Sequence, residues 1–220
     1  MQRILEGNIY LQFLLLINFS KMTLKERILR HKRGKIFFID YFPDYKDEYV
    51  KKILFELEKE GILIRLAPGM YYLPIQSRLG VLYPSVEEIV QAIAKRDHAT
   101  IMPSANTALY QLGFTTQVPM NYEYLTNGAA RIVHLEHNTV RLKHGVASNF
   151  AYRGKLMPLL HQALQAIGKV NITDTDKAHA AHLLLANPEP RTWKHDVRLM
   201  PAWERAIVEP IIKNYHEQVD

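Results

Sequence analysis

The apolar positions of the chain change period at residue 61. Before it, Val50, Ile53, Leu54 and Leu57 recur at i, i+3, i+4 and i+7, the spacing of one helix face. Phe55 falls on the opposite, outward face. Asp44 predicts the N-cap of this helix, with Asp47 as the acidic half of a capping box. Gly61 follows the last periodic residue and predicts a left-handed C-cap. After it come Ile62, Leu63, Ile64 and Leu66, a β-prone run. Ala67-Pro68-Gly69 is a turn, and residues 70–73 form the return strand. Upstream, residues 23–30 read as a helix capped by Thr23 with Glu26 three residues on. Leu24 and Ile28 face inward, with Leu29 at the margin of that stripe. Residues 36–39 are a short apolar strand expected to pair with the later hairpin, and 40–42 begin a short second helix ended by Pro43.

Residues 76–84 read as a connector between the breakers Pro74 and Pro84. Ser85 caps the next helix, whose buried stripe is Val86, Ile89, Val90 and Ile93. Residues 99–102 predict a strand, 104–112 a short helix ended by Gly113, and 122–126 a second strand before the Asn127-Gly128 turn. Residues 131–136 and 139–143 alternate around His137-Asn138 as a hairpin. Residues 155–166, 175–185 and 202–215 predict helices, with a Pro-rich break at 188–190. The fold class is therefore α+β. Helix, short strand, helix, helix, hairpin over residues 22–75 is the order of a winged helix-turn-helix. A mixed α+β domain with a helical tail follows over 85–220.

Residues 1–21 contain an almost unbroken apolar run over 9–19. That is shorter than the roughly 20 residues a membrane helix needs. Only Arg3 precedes it, together with Glu6, and no small-x-small site follows, which disfavours a signal peptide. The expectation is a mis-assigned start, with Met22 the natural initiator. The alternative is an extra strand or helix packed on the body or on a second copy.

Composition adds a partner class. The 220 residues carry a formal net charge of +6. Residues 22–75 hold 11 Lys/Arg against 8 Asp/Glu, and 76–220 hold 15 against 13. The basic excess per residue is thus greater in the first domain, which suits a polyanion. There are no cysteines. This removes disulfides, thiolate zinc sites and cysteine nucleophiles, and it fits a reducing cytoplasm.

For DNA contact the candidates are Tyr45, Lys46, Glu48, Lys51 and Lys52 on the first turns of the 44–60 helix. Residues there reach base edges when such a helix enters the major groove. Arg65 on the hairpin, and Lys32, Arg33 and Lys35 before the strand, would hold phosphates. Glu56, Glu58, Lys59 and Glu60 equally describe a solvated charged helix. His134-x-Glu136-His137 splits its side chains across two strand faces. His179-x-x-His182 shares a helix face but lacks a third ligand, so no metal and no cofactor is expected. Asp174 and Asp176 read as a helix cap rather than a nucleotidyltransferase metal pair. There is no P-loop, Rossmann fingerprint or G-x-S-x-G.

Three segments together resemble a known family: GILIRLAPGMY at 61–71, LGVLYPS at 79–85, and PSAN at 103–106 running on to LGFTTQVP at 112–119. They are similar to the bacterial AbiEi-like proteins, the antitoxin and transcriptional-regulator half of type IV (abortive-infection) toxin–antitoxin pairs. The resemblance covers about residues 23–145. It implies an N-terminal winged helix on operator DNA, repressing its own operon, and a C-terminal domain countering a nucleotidyltransferase-type toxin. Ser104, Asn106, Thr116 and Gln117, with Thr107 and Thr115 of the same segment, are the polar candidates for that partner contact; capping and turn formation are the favoured account of them. The expected mechanism is stoichiometric binding, with two copies on DNA, in the cytoplasm and without a membrane. The competing classes are a nuclease or nucleotidyltransferase targeted by its winged helix, and a winged-helix module that binds only protein.

Overall fold

The computed structural model describes residues 22–219, so the expectations for 1–21 lie outside the described residues. The protein is mixed α+β and divides into two compact units at Pro84/Ser85. Among the described residues no helix is long and apolar enough to cross a membrane.

In the first unit, α1 (Leu24–Arg30) opens on a capping box in which Thr23 and Glu26 exchange backbone-to-side-chain bonds. Leu24 and Ile28 are fully buried; Leu29 is exposed, because the one-residue step from Ile28 turns it about 100° off the stripe. Strand β1 (Ile36–Phe38) is buried throughout. The expected second helix is a single 3₁₀ turn, Ile39–Tyr41. Helix α2 (Asp47–Lys59) begins later than its sequence suggests: its N-cap is Lys46, and Asp44 does not cap it. The Asp44 carboxylate instead accepts from Arg27 at 3.2 Å, while Tyr45 N–H donates to Phe42 C=O. These bonds hold residues 42–45 in a turn before the helix can start. Val50, Leu54 and Leu57 are fully buried and Ile53 is half-buried.

Gly61 takes φ +70°, and the Ile62 and Leu63 N–H groups both donate to Leu57 C=O. This closure turns the chain into β2 (Ile64–Ala67) and β3 (Met70–Tyr72), with Gly69 at φ +74° in the turn. The sheet order is β1-β3-β2, all antiparallel, with a bulge between Arg65 and Ala67. Residues 76–84 are not a plain connector. Strands β4 (Ile75–Ser77) and β5 (Gly80–Leu82) pair into a two-stranded ribbon. The Ser77 hydroxyl closes it, donating to Gly80 C=O at 2.7 Å and accepting from Leu79 N–H at 3.2 Å.

In the second unit, α3 (Val86–Arg96) carries the Ser85–Glu88 capping box and buries Val86, Ile89, Val90 and Ile93. Next come β6 (Ile101–Pro103), α4 (Ala105–Gln111), β7 (Asn121–Thr126), β8 (Arg131–His134) and β9 (Thr139–His144). The sheet order is β6-β7-β9-β8. The β8–β9 hairpin forms as its alternation indicates, but β9 inserts between β7 and β8 and runs parallel to β7.

Helices α5 (Leu156–Ile167), α6 (Asp174–Ala186), α7 (Pro190–Asp196) and α8 (Ala202–Val219) complete the unit. The Pro-rich break separates α6 from α7, a short helix that the sequence pattern does not predict. Pro190 stands in its first turn, where a missing N–H costs nothing. Glu189 and Asp196, at the two ends of α7, hold the chain entering α5. Glu189 accepts from Lys155 and Leu156 N–H at 3.0 and 3.1 Å. The buried Asp196 accepts from Arg153 and Gly154 N–H at 2.9 and 2.7 Å.

Two stability predictions follow from these contacts. A Cβ on Gly154 would stand 2.6 Å from Glu189 Oε2 and 2.9 Å from Asp196 Oδ2. Gly154→Ala should therefore destabilise the second unit by about 1–3 kcal/mol in urea unfolding. Asp97 pairs with Arg96 at 2.7 Å and with Arg131, tying the end of α3 to β8. Burial opposes the Asp97 charge, but the two arginines together outweigh it and hold the carboxyl below its ordinary value. A carboxyl depressed on folding stabilises above its unfolded pKa, and that contribution disappears as pH falls through the folded value. Asp97→Asn should cost about 1–2 kcal/mol at pH 7. The gap to wild type should narrow steadily below about pH 4.

Candidate nucleic-acid interface

The buried stripe of α2 fixes its rotation and so decides what faces water. The outer face carries Glu48, Tyr49, Lys51, Lys52, Phe55, Glu56 and Lys59, all exposed. Lys52 reaches Glu56 at 4.0 Å, and Lys59 Nζ lies 4.6 Å from the centre of the Phe55 ring.

The acids flanking α2 are engaged by α1. Lys25 pairs with Glu60 at 2.7 Å, and Arg27 with Asp44 at 3.2 Å. Arg27 also lies 5.5 Å over the Tyr45 ring, and Tyr45, then Asp44, keep its guanidinium charged. Tyr45 stacks on Tyr49 at 5.8 Å and donates to Met22 C=O at 3.4 Å. Tyr45 is half-buried and positions the start of α2 rather than standing free. Lys35 is half-buried too, 4.5 Å above the Tyr41 ring. Lys32, Arg33, Lys46, Lys51 and Arg65 are exposed and make no ion pair among the described residues. Asp47 and Glu48 stay on the first turn, where the positive end of the helix dipole offsets them.

These cations do not all gather at the hairpin tip. The tip, residues 67–69, is uncharged. Gly34 N–H donates to Leu73 C=O, and Leu73 N–H donates to Lys35 C=O, so the 32–35 loop sits at the opposite end of the sheet. Arg65, paired with Tyr71 in the ladder, lies between the two ends. Burial pushes the Tyr71 hydroxyl pKa up, while Arg65 and Glu58 of the last turn of α2 act on it with opposite signs. The sequence-predicted residues thus form two groups: Lys46 and Lys51 on the early turns of α2, and Lys32, Arg33 and Arg65 along the sheet. Burial, then Lys35 and Arg27, holds His31 beside the loop below the ordinary imidazole pKa.

In the second unit a pocket of about 390 Å³ brings Asn106 together with Thr115, Gln117 and Asn121. Val118 and Met120 also line it and are largely exposed. Thr116 is exposed in the same loop. Ser104 does not belong to this surface: it is buried, with its N–H donating to Glu123 C=O at 3.0 Å. Nor does its hydroxyl cap α4. Thr107, also buried, accepts from Glu123 N–H at 2.7 Å, and Ala105 takes φ +48°. These bonds turn Asn106 outward. Thr115 belongs to the polar set of this segment, whereas Asn121 escaped the sequence reading because it opens β7, well beyond the end of α4. The irregular 114–120 run between two regular elements was the available signal.

Two of the histidines hold structural contacts. His179 Nε2 lies 2.7 Å from Leu112 C=O at the end of α4, with Phe114 edge-on at 4.7 Å. His161 pairs with the buried Glu204 at 2.7 Å, and Gln165 donates to the same carboxylate. Asp176 closes a capping box with Thr173. Among the described residues no three His, Cys, Asp or Glu side chains converge as metal ligands do.

The two units therefore define a mixed α+β protein with an exposed basic face and a polar pocket. The family of unknown function DUF6088 matches residues 23–191, and the chain belongs to it. No curated protein matches.

The Lys46 and Lys51 side chains make no hydrogen bond or ion pair among the described residues. Lys46→Ala and Lys51→Ala should each shift the thermal midpoint by less than about 2 °C in calorimetry. Arg27→Ala, which releases both Asp44 and Tyr45, should lower it by more.

Proposed function

We propose that the protein is a DNA-binding transcriptional regulator whose residues 22–75 act as a winged helix-turn-helix. The observation that carries the reading is the order α1, β1, 3₁₀ turn, α2, β2, β3, with unpaired cations on the exposed start of α2. The Asp44 carboxylate is drawn back onto Arg27 of α1, so it does not pair with Lys46 or Lys51 at the start of α2. In this reading α2 enters the major groove, and Lys32, Arg33 and Arg65 hold the backbone. A single small reading helix gains affinity from paired half-sites, so two copies sit on the operator.

The segment resemblance extends the proposal to the antitoxin of a type IV pair. Such a protein works by stoichiometric binding in the cytoplasm. It represses its own operon and counters a nucleotidyltransferase-type toxin, here through the Asn106–Gln117 pocket.

The test is binding to DNA upstream of its own gene against a scrambled duplex, over a salt series. The native duplex should win by roughly 10³-fold or more. Lys46→Ala, Lys51→Ala and Arg65→Ala should each weaken binding and reduce the salt slope by about 1. Lys52→Ala should cost less, because Glu56 already compensates Lys52. Equal, weak binding of both duplexes, unchanged by the variants, would make this unit a protein-interaction module instead. Metal-dependent cleavage or nucleotide addition would overturn stoichiometric action.

A further inference from the structure

The β4–β5 ribbon is the most exposed regular element of the first unit. Among the described residues its strands pair only with each other, and all six residues are exposed. Leu79 at the tip is 100% exposed although the Ser77 bonds order the turn around it. Gly80, at φ +114°, lets the chain reverse there. An isolated two-stranded ribbon is marginal in water. This one is anchored only at its base. Tyr72 hydroxyl donates to Leu82 C=O at 2.9 Å, and Ile75 packs so closely on Gly34 that an added Cβ would meet it at 3.1 Å. Gly34 is flanked by Lys32, Arg33 and Lys35, so the ribbon rises from the basic loop.

Charge points the same way. No acid occurs between Glu60 and Glu87, and the only charged side chains in that interval are Arg65 and Arg78. Arg78 stands at the ribbon tip, next to Leu79. An arginine beside an unpacked aliphatic side chain is the pair used in the minor groove. The cation reads the narrow, negative floor, while the apolar group wedges between base steps and kinks the duplex.

We propose that the β4–β5 ribbon is a second DNA-contacting element, with Arg78 in the minor groove and Leu79 inserted between base pairs, bending the site. A protein partner would also cover Ile75, Val81 and Leu82. The acid-free charge and the shared base with the Lys32–Arg33 loop favour DNA. The proposal rests on the DNA-binding reading, and its test separates the two.

The full chain is titrated onto the duplex from upstream of its own gene, with a fluorescent donor and acceptor at the two ends. Binding should raise energy transfer, as a bend of roughly 20–90° brings the ends together. Leu79→Ala, which removes no contact within the protein, should abolish most of that rise while the duplex still binds. Arg78→Ala should weaken binding about tenfold and lower the salt slope by about 1. Lys51→Ala should weaken binding but leave the bend intact at saturation. Binding that responds to Lys51→Ala but leaves the duplex straight, or bends it equally with Leu79→Ala, overturns the ribbon proposal alone. No binding of any duplex by the wild type overturns the DNA reading and the ribbon with it. A self-association seen by light scattering and lost in Leu79→Ala, with DNA bending unchanged, makes the ribbon a protein interface and also overturns it.

Discussion

Helix α2 can bury only one stripe, and the first unit is arranged around that limit. Val50, Leu54 and Leu57 are wholly excluded from water, each side chain contributing about 1.5–3 kcal/mol. They pack with Leu24, Ile28, Phe37 and Phe42 from α1, β1 and the turn that follows it. Once they are seated, the helix cannot rotate, and Lys51, Lys52 and Phe55 have no direction left but outward. The ion pairs at its two ends, Arg27–Asp44 and Lys25–Glu60, lie at the surface and contribute little stability. Their consequence is electrostatic. They hold Asp44, before the first turn, and Glu60, after the last, against α1, so neither carboxylate pairs with the lysines on the outer face of the helix.

The second unit depends on buried carboxylates used as caps. Asp196 and Glu204 are fully buried, and such charges are tolerated only when every oxygen has a donor. Asp196 and Glu189 take the N–H groups of residues 153–156, fixing where α5 begins. Glu204 fastens the middle of α5 to α8 through His161 and Gln165. Helix α4 packs on α5, and α4 carries Asn106. The polar pocket is therefore held by a chain of contacts that begins at carboxylates far from it in sequence. Substitutions at Asp196 or Glu189 should be read as changes to that support, not as removal of a reactive group.

Local chemistry determined a good part of this protein. The capping boxes at Thr23 and Ser85, the Gly61 closure and the β8–β9 hairpin all involve partners within a few residues of one another. Their energetics need nothing from the rest of the chain, which is why they could be read directly. The outward position of Phe55 followed from helical phase alone.

What only the tertiary structure decided involves partners distant in sequence. Asp44 has the right side chain to cap a helix, but Arg27, brought close by α1, claims it. Residues 76–84 look like a linker because their alternation is short, and become a ribbon through Ser77 and the anchor from Tyr72. Parallel pairing of β7 with β9 leaves no local trace, since the hydrogen bonds join strands separated by β8. The break before Pro190 is legible, but the short helix after it is not, because Glu189 and Asp196 at its ends bond to residues 153–156 far away in sequence. Ser104 is polar and follows a proline, yet the sheet buries it. A sequence carries its short-range bonds openly, whereas a long-range bond exists only once the fold has brought its two ends together.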